Sequence, residues 1–156
     1  TLELLKPVFE QHELEVNTTL ADSLAPLTAN RESLQRVLIN LLNNAVDALK
    51  DGGTVTITTR AAAGSPETSK EGVVIEVTDT GAGIPPEMLP EVFDLFLTTK
   101  ESGKGTGLGL AVCQEIVKIH GGTIQITRKL GEGTRVRVFL PTDDIVGQPA
   151  SVEVRE

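Results

Sequence analysis

A glycine-rich stretch that leads into an apolar segment places the strongest limit on the fold: residues 104–111 read KGTGLGLA. A phosphate-binding P-loop needs Gly-x-x-x-x-Gly-Lys followed by Ser or Thr, but here Gly105 follows Lys104. A dinucleotide-binding fingerprint needs Gly-x-Gly-x-x-Gly, but Leu110 stands where its third glycine would be. The stretch therefore indicates neither of the two commonest nucleotide-binding folds.

Composition limits the class of protein. The 156 residues are 39% hydrophobic, and no apolar run comes near the roughly 18 residues that a membrane span needs, so we expect one soluble domain without membrane contact. A lone cysteine, Cys113, cannot form an internal disulfide, which predicts a cytoplasmic location. A formal charge of -8 with 3% aromatic residues argues against a nucleic-acid partner.

The order of predicted elements indicates an α/β two-layer sandwich. Strands outnumber helices and mostly neighbour one another as hairpins, so we expect one mixed, mostly antiparallel sheet with about three helices on one face. We expect a preceding helical or linker segment to end in residues 1–12, the domain to span 13–141, and 142–156 to be a flexible tail. The predicted strands are 14–16, 24–27, 54–60, 73–79, 123–127 and 134–140, and the predicted helices are 2–11, 31–50 (capped by Asn30) and 107–120.

The helix predicted over residues 31–50 carries amides where a solvated helix usually carries charges. Asn is a poor helix former, so a cluster of asparagines needs a reason. Amide oxygens suit a magnesium ion that already carries phosphate oxygens, and a structural polar seam is the alternative. At about 100° per residue the helix separates two faces. The apolar face holds Leu34, Leu38, Leu41, Leu42, Ala45 and Leu49, and the polar stripe holds Asn40, Asn43, Asn44 and Asp47.

An acid continues an apolar row at the end of a predicted strand. Alternation over residues 73–79 puts Asp79 on the face of the apolar residues. Because a carboxylate is costly to bury without partners, Asp79 must be hydrogen-bonded, and Gly81 and Gly83 leave room for a flat ligand beside it. An adenine amino group fits as the donor, and an ordinary Asp-Thr-Gly turn is the alternative. By the same alternation, Thr134 can place its hydroxyl in this pocket.

Five segments, in order, resemble the ATP-binding catalytic domain of sensor histidine kinases, whose superfamily includes gyrase, heat-shock chaperone and mismatch-repair ATPases. They look like the N box, first glycine box, F box, second glycine box and closing strand pair of that domain. The resemblance covers nearly everything from residue 14 to 141, and it implies a Bergerat-type fold that binds ATP and Mg²⁺. The segments are NLLNNAVDAL (40–49), DTGAGI (79–84), VFDLFLTTK (92–100), GTGLGLAVCQEIVKIHGG (105–122) and GEGTRVRVFLP (131–141).

The resemblance also implies site residues. The second glycine box would end a mobile lid and open a helix whose N–H groups face the ATP phosphates, in line with anion binding at helix N-termini. Asn44 would ligate magnesium, Asn40 would support the phosphates and metal, and Asp79 would accept from adenine. Without ligand, we expect residues 98–105 to be mobile. Further nucleotide contacts are implied for Asp47, Gly81, Gly83, Ile84, Lys100, Lys104, Gly105, Thr106, Gly107, Leu108, Gly109 and Thr134.

One substitution favours phosphoryl transfer over hydrolysis. In the gyrase and chaperone relatives, a Glu one turn before the magnesium Asn serves as general base, and that position here is Asn40, which cannot accept the proton. A histidine acceptor needs no such base, because neutral imidazole is already a nucleophile. Many sensor kinases carry a basic residue shortly after the magnesium Asn, whereas this chain has Asp47 and Ala48, and Lys100 or Lys104 would replace that phosphate contact.

The phosphoacceptor is expected on another domain. His12 is followed by Glu13, as in an acceptor box, but Asn17 stands where that box has Pro. In a histidine kinase the acceptor histidine lies on a dimerising helical hairpin, and the eleven residues before His12 are too few to form one. We therefore expect a catalytic part of a sensor kinase, monomeric alone, that phosphorylates a helical domain of the full-length protein and acts indirectly on a response regulator. The full-length protein can be membrane-anchored. A serine-directed kinase of the same superfamily and a non-catalytic nucleotide-sensing module are the alternatives.

Overall fold

The computed structural model describes residues 1–49, 52–63, 70–84, 87, 90, 92–93, 109–129 and 133–142. Within these residues, a five-stranded sheet has the order β1-β2-β3-β5-β4. Strand β1 pairs with β2 in parallel and all other neighbours are antiparallel, which confirms the predicted mixed sheet. The elements are α1 (Leu2–Gln11), β1 (Leu14–Thr19), α2 (Arg31–Ala48), β2 (Gly53–Ala62), β3 (Gly72–Asp79), α3 (Gly109–Ile119), β4 (Thr123–Lys129) and β5 (Gly133–Pro141).

All three helices pack on one face of the sheet. Helix α1 contributes Leu5 and Phe9 to the same core as α2 and α3, so it is packed against the rest of the domain. Full burial of each such side chain stabilises the fold by about 1.5–3 kcal/mol. No helix in the described part of the chain is long and apolar enough to cross a membrane. The sheet contributes Val55, Ile57, Val77, Val136, Val138 and Leu140 to this core.

Helix α2 forms the crossover that parallel pairing of β1 and β2 requires. It starts at the predicted cap, where the Asn30 side chain accepts from the backbone N–H of Ser33 at 2.8 Å. The helix ends at Ala48, two residues before the predicted end, and Leu49 is its C-cap. The asparagine stripe lies in the C-terminal half of this crossover.

One sequence prediction for this region is wrong. Residues 24–27 form no strand, because the chain between β1 and α2 must cross the end of the sheet and Pro26 has no N–H for a ladder.

The predicted core face of α2 is confirmed in its main part. Leu41, Leu42, Ala45 and Leu49 are buried in the core, and Leu34 packs against it. Leu38 is half-buried, whereas Val37 and Val46 are buried in addition. Because α2 packs against both the sheet and α3, its buried surface is wider than the predicted stripe.

Candidate functional site

The carboxyl group of Asp79 lies buried at the end of β3, with 6% of the residue exposed. Its Oδ1 accepts two backbone N–H groups, from Gly81 at 2.9 Å and from Thr134 at 3.4 Å. Burial raises the pKa of Asp79, and the hydrogen bonds from Gly81 and Thr134 oppose that rise. Among the described residues, Oδ2 has no hydrogen-bond partner. The prediction that Asp79 is buried and hydrogen-bonded is confirmed.

Two glycines allow backbone segments to close around Asp79. Gly133 has φ 88°, and a Cβ on it would lie 1.8 Å from the carbonyl oxygen of Asp79, so no other residue fits there. A Cβ on Gly81 would lie 2.5 Å from the carbonyl oxygen of Ala48, at the end of α2. The start of β5 and the end of α2 thus both approach the turn after β3. Thr134, 7% exposed, is paired with Asp79 across the β3–β5 ladder.

Asn40 and Asn44 both face the start of α3. The Asn40 amide Nδ2 donates to the carbonyl oxygen of Gly109 at 3.4 Å. A Cβ on Gly109 would lie 3.9 Å from Asn40 Cγ and 4.0 Å from Asn44 Nδ2, which is ordinary contact distance. The structure therefore brings the two predicted asparagines to the predicted second glycine box.

The polar stripe on α2 divides into two parts. Asn40 and Asn44 are half-buried beside α3, whereas Asn43 and Asp47 are exposed. Asn43 therefore offers a matched comparison for Asn44, with the same residue type on the same helix in a different environment. Contact between Asp47 and a nucleotide stays a prediction. In the first glycine box, Gly83 has φ 76° and Ile84 is half-buried.

Two supporting contacts were missed by sequence reasoning. Thr80, within the first glycine box, accepts the backbone N–H of Thr54 on its Oγ1 at 3.0 Å, and it ties the turn after β3 to β2. Cys113 lies fully buried one helical turn after Gly109, with Sγ 3.7 Å from the carbonyl oxygen of Val37. Burial raises the pKa of this thiol to about 11, although a hydrogen bond from Asn40 opposes the rise. In the sequence, the only indication that Thr80 matters is its place within the first glycine box, DTGAGI.

Several predicted site residues lie outside the described residues: Lys100, Lys104, Gly105, Thr106, Gly107 and Leu108. The lid expected over residues 98–105 also lies there. The described part of the chain holds no group of three or more His, Cys, Asp or Glu side chains that could hold a metal ion. A neutral amide such as that of Asn44 fits a magnesium ion only when phosphates supply the remaining ligands, because Mg²⁺ is usually bound through substrate phosphates and few protein oxygens.

Comparison with known protein families identifies the arrangement. Residues 29–144 match the family described as histidine kinase-, DNA gyrase B- and HSP90-like ATPases. The chain is 39% identical over 139 residues to the sensor kinase CckA of Brucella abortus, covering 83% of this chain and 14% of that protein. It is 36% identical over 143 residues to the sensor histidine kinase ZraS of Escherichia coli, covering 92% and 29%. The chain thus spans less than a third of either relative.

Solved structures of related chains share the fold. The catalytic domain of the histidine kinase ThkA, in a nucleotide-free form, superposes with a TM-score of 0.76 at 27% identity, covering 90% of this chain and 86% of that one. Full-length ShkA in complex with AMPPNP gives a TM-score of 0.75 at 28% identity, covering 89% and 28%. The predicted two-layer α/β fold is confirmed.

Proposed function

Because the chain belongs to the family of histidine kinase-, DNA gyrase B- and HSP90-like ATPases, we propose that it is the catalytic domain of a sensor histidine kinase. It binds Mg-ATP and donates the γ-phosphoryl group to a histidine on a separate helical domain of the same full-length protein. A response regulator is the later acceptor, and the chain alone is a monomer.

The observation that carries this proposal is the Asp79 carboxylate. Both hydrogen bonds that Asp79 accepts from the described residues go to Oδ1, so Oδ2 would accept from the exocyclic amino group of adenine. Guanine carries a carbonyl oxygen at that place, so Oδ2 would face an acceptor and guanine nucleotides would bind less well. Since Oδ1 is held by Gly81 and Thr134, the carboxylate is oriented before the nucleotide binds, and little side-chain entropy is lost on binding.

The phosphates are assigned to the space between α2 and the start of α3. Helix α3 begins beside Asn40 and Asn44, and unpaired N–H groups at a helix start attract anions. Asn44 would hold a magnesium ion that arrives with the phosphates, and that ion would neutralise charge as it develops on the transferred group. The Asn40 amide nitrogen donates to the Gly109 carbonyl, and the Asn40 oxygen, which can only accept, would contribute to the metal shell rather than contact a phosphate oxygen.

The reaction that suits these residues is transfer to imidazole. The lone pair of a neutral histidine nitrogen forms the P–N bond while the bond from the γ-phosphorus to the bridging oxygen breaks, and ADP leaves with that electron pair. This step needs no general base to deprotonate the attacking atom. Hydrolysis requires deprotonation of water, and Asn40 cannot take the proton.

A transfer assay tests the proposal. The chain is mixed with the separately produced helical domain of its full-length protein and with ATP labelled on the γ-phosphate. The expected product is acid-labile phosphate on a histidine of the helical domain, and Asn44→Ala should abolish it while Asn43→Ala should not. Acid-stable phosphoserine would replace the proposal by a serine-directed kinase. ATP binding without transfer to any supplied domain would replace it by a nucleotide-sensing module.

A further inference from the structure

A further contact joins α2 and α3 at the end of the helix pair remote from Asn44. The backbone N–H of Asn30 donates to Nε2 of His120 at 3.1 Å, and Nδ1 of the same ring lies 2.7 Å from the carbonyl oxygen of Ile116. A carbonyl oxygen can only accept, so Nδ1 carries the proton, and a backbone N–H can only donate, so Nε2 holds a lone pair. The two contacts together require a neutral imidazole with its proton on Nδ1.

Helix α3 is capped without this side chain. Gly121 has φ 70°, its N–H donates to the carbonyl of Lys118 at 2.9 Å, and the N–H of Gly122 donates to the carbonyl of Val117 at 2.9 Å. This pair of bonds is the Schellman arrangement, in which the backbone itself satisfies the last helical carbonyls. His120 stands at the end of α3, but its side chain is not needed to satisfy the last helical carbonyls.

The bond to Ile116 orients the ring. The carbonyl of Ile116 already accepts the backbone N–H of His120 at 3.2 Å, so it does not need the His120 side chain as a hydrogen-bond partner. It holds the imidazole so that Nε2 points away from α3 and towards Asn30. The side chain of His120 therefore serves the contact between the helices.

Helix α2 lacks the side chain within its own first turn that commonly accepts the backbone N–H of the cap residue. In a capping box, Glu or Gln at the third helical position accepts the N–H of the cap residue. Here the cap is Asn30 and the third position is Ser33. Ser33 donates its backbone N–H to the Asn30 side chain, while the acceptor for the Asn30 N–H comes from α3 instead.

We propose that His120 is a positioning residue for the nucleotide site, a role that rests on the function proposed above. Helices α2 and α3 run antiparallel and each supplies part of one Mg-ATP site. Their relative position along the helix axes therefore decides whether a magnesium ion at Asn44 and the N–H groups at the start of α3 engage the same phosphate. At the near end, the Asn40–Gly109 bond is long at 3.4 Å. The His120–Asn30 contact fixes the register of the pair from the far end.

Two substitutions at His120 separate positioning from capping. His120→Asn keeps a donor at the place of Nδ1 and removes the acceptor for Asn30, whereas His120→Gln keeps an acceptor at the place of Nε2. If His120 sets the register, His120→Asn lowers the affinity for a non-hydrolysable Mg-ATP analogue about two- to tenfold, in line with the loss of one hydrogen bond, and His120→Gln retains most of it. The opposite order, or equal affinity in the parent and His120→Asn, would overturn the proposal.

A second-site substitution keeps the test valid if His120→Asn is poorly folded. Ser33→Glu supplies the local acceptor of a capping box without linking the helices. In His120→Asn/Ser33→Glu, the thermal midpoint should return towards that of the parent while nucleotide affinity stays low. Recovery of both would show that His120 acts only through stability and would overturn the proposal. Absence of nucleotide binding by the parent chain would instead contradict the proposed function, so the two failures are distinguishable.

Discussion

Asp79 and Thr134 lie directly opposite each other in the β3–β5 ladder, and the Thr134 backbone N–H donates to Asp79 Oδ1 at 3.4 Å. Together with the Gly81 N–H, this bond occupies Oδ1, and within the described part of the chain Oδ2 has no partner. The pair joins the start of β5 to the turn after β3. Gly133 allows the start of β5 to approach the Asp79 carbonyl, and Gly81 allows the turn to approach the end of α2. The geometry makes the protonation and substitution of Asp79 informative about both folding and binding.

Asp79→Asn should reduce binding without reducing stability. Burial raises the pKa of Asp79 above its ordinary value of 3.8, so the folded state holds the proton more tightly than the unfolded state. The favourable contribution of this group to the free energy of unfolding is full below pH 3.8 and is lost as the pH rises through the raised pKa. At pH 7 the substitution should leave the free energy of unfolding unchanged or higher, while Mg-ATP affinity falls about 10- to 100-fold.

Urea unfolding at several pH values and nucleotide titration measure the two effects of Asp79→Asn. Asp22→Asn is the control, since Asp22 is an exposed carboxylate. A variant at Asp79 that binds ATP as the parent does would refute the assignment of Oδ2 to adenine. Destabilisation of Asp79→Asn at pH 7 would contradict the raised pKa of Asp79.

Asn44→Ala should lower Mg-ATP affinity about tenfold or more, because it removes the amide proposed to hold the metal and leaves its position empty. Ala is the better helix former, so the helix itself should not suffer. Asn43→Ala is the matched control: the same change one residue earlier, at an exposed position, should gain the same helix propensity without loss of affinity. Titrations with and without Mg²⁺ measure the difference. Equal losses of Mg-ATP affinity in the two variants would contradict the proposal that half-buried Asn44, and not exposed Asn43, faces the nucleotide site.

Gly133→Ala should destabilise the domain more than Gly52→Ala. The two glycines have similar backbone angles, φ 88° and φ 83°, so the conformational cost of a side chain is about 1–2 kcal/mol in both. They differ in space: a Cβ at Gly133 would overlap the Asp79 carbonyl, whereas one at Gly52 would lie 3.7 Å from its nearest neighbour. Thermal and urea unfolding of both variants give the comparison, and equal destabilisation would mean that the close approach of β5 to Asp79 is incorrect.

Cys113 should resist alkylation in the folded protein. The residue is fully buried and the pKa of its thiol is raised to about 11, so the reactive thiolate is scarce at neutral pH. Mass spectrometry after iodoacetamide treatment should show modification only in denaturant. Because the raised pKa favours the neutral thiol, stability should also fall as the pH rises from 9 to about 11. Cys113→Ala should lack that fall, and rapid labelling of the native chain would contradict the packing of α2 on α3.

The elements with strong periodicity could be predicted from the sequence, and so could the two parts of the candidate site, which are Asp79 and the pair Asn40 and Asn44. Local patterns predict both the strand that ends at Asp79, from its alternation, and the helix that carries Asn40 and Asn44, from its helical periodicity. The connection over residues 20–30 could not, because Leu24 and Leu27 look like strand residues and only the position of the sheet decides otherwise.

Contacts between distant segments were beyond sequence reasoning for a different reason. The overlap that requires glycine at residue 133 depends on how closely β5 approaches the end of β3. The bond between Asn30 and His120 joins residues 90 positions apart, and no local pattern at either residue indicates the other as its partner. Both contacts follow from tertiary packing, which local propensity and spacing do not encode.

The central claim, that Asp79 selects adenine in an ATP site, is tested most directly by calorimetric titration of the chain with non-hydrolysable analogues of ATP and GTP in the presence of Mg²⁺. One molecule of the ATP analogue should bind per chain, and the GTP analogue should bind about tenfold or more weakly, because its base presents an acceptor to the Asp79 carboxylate. Equal affinity for the two analogues, or no binding of either, would contradict the account.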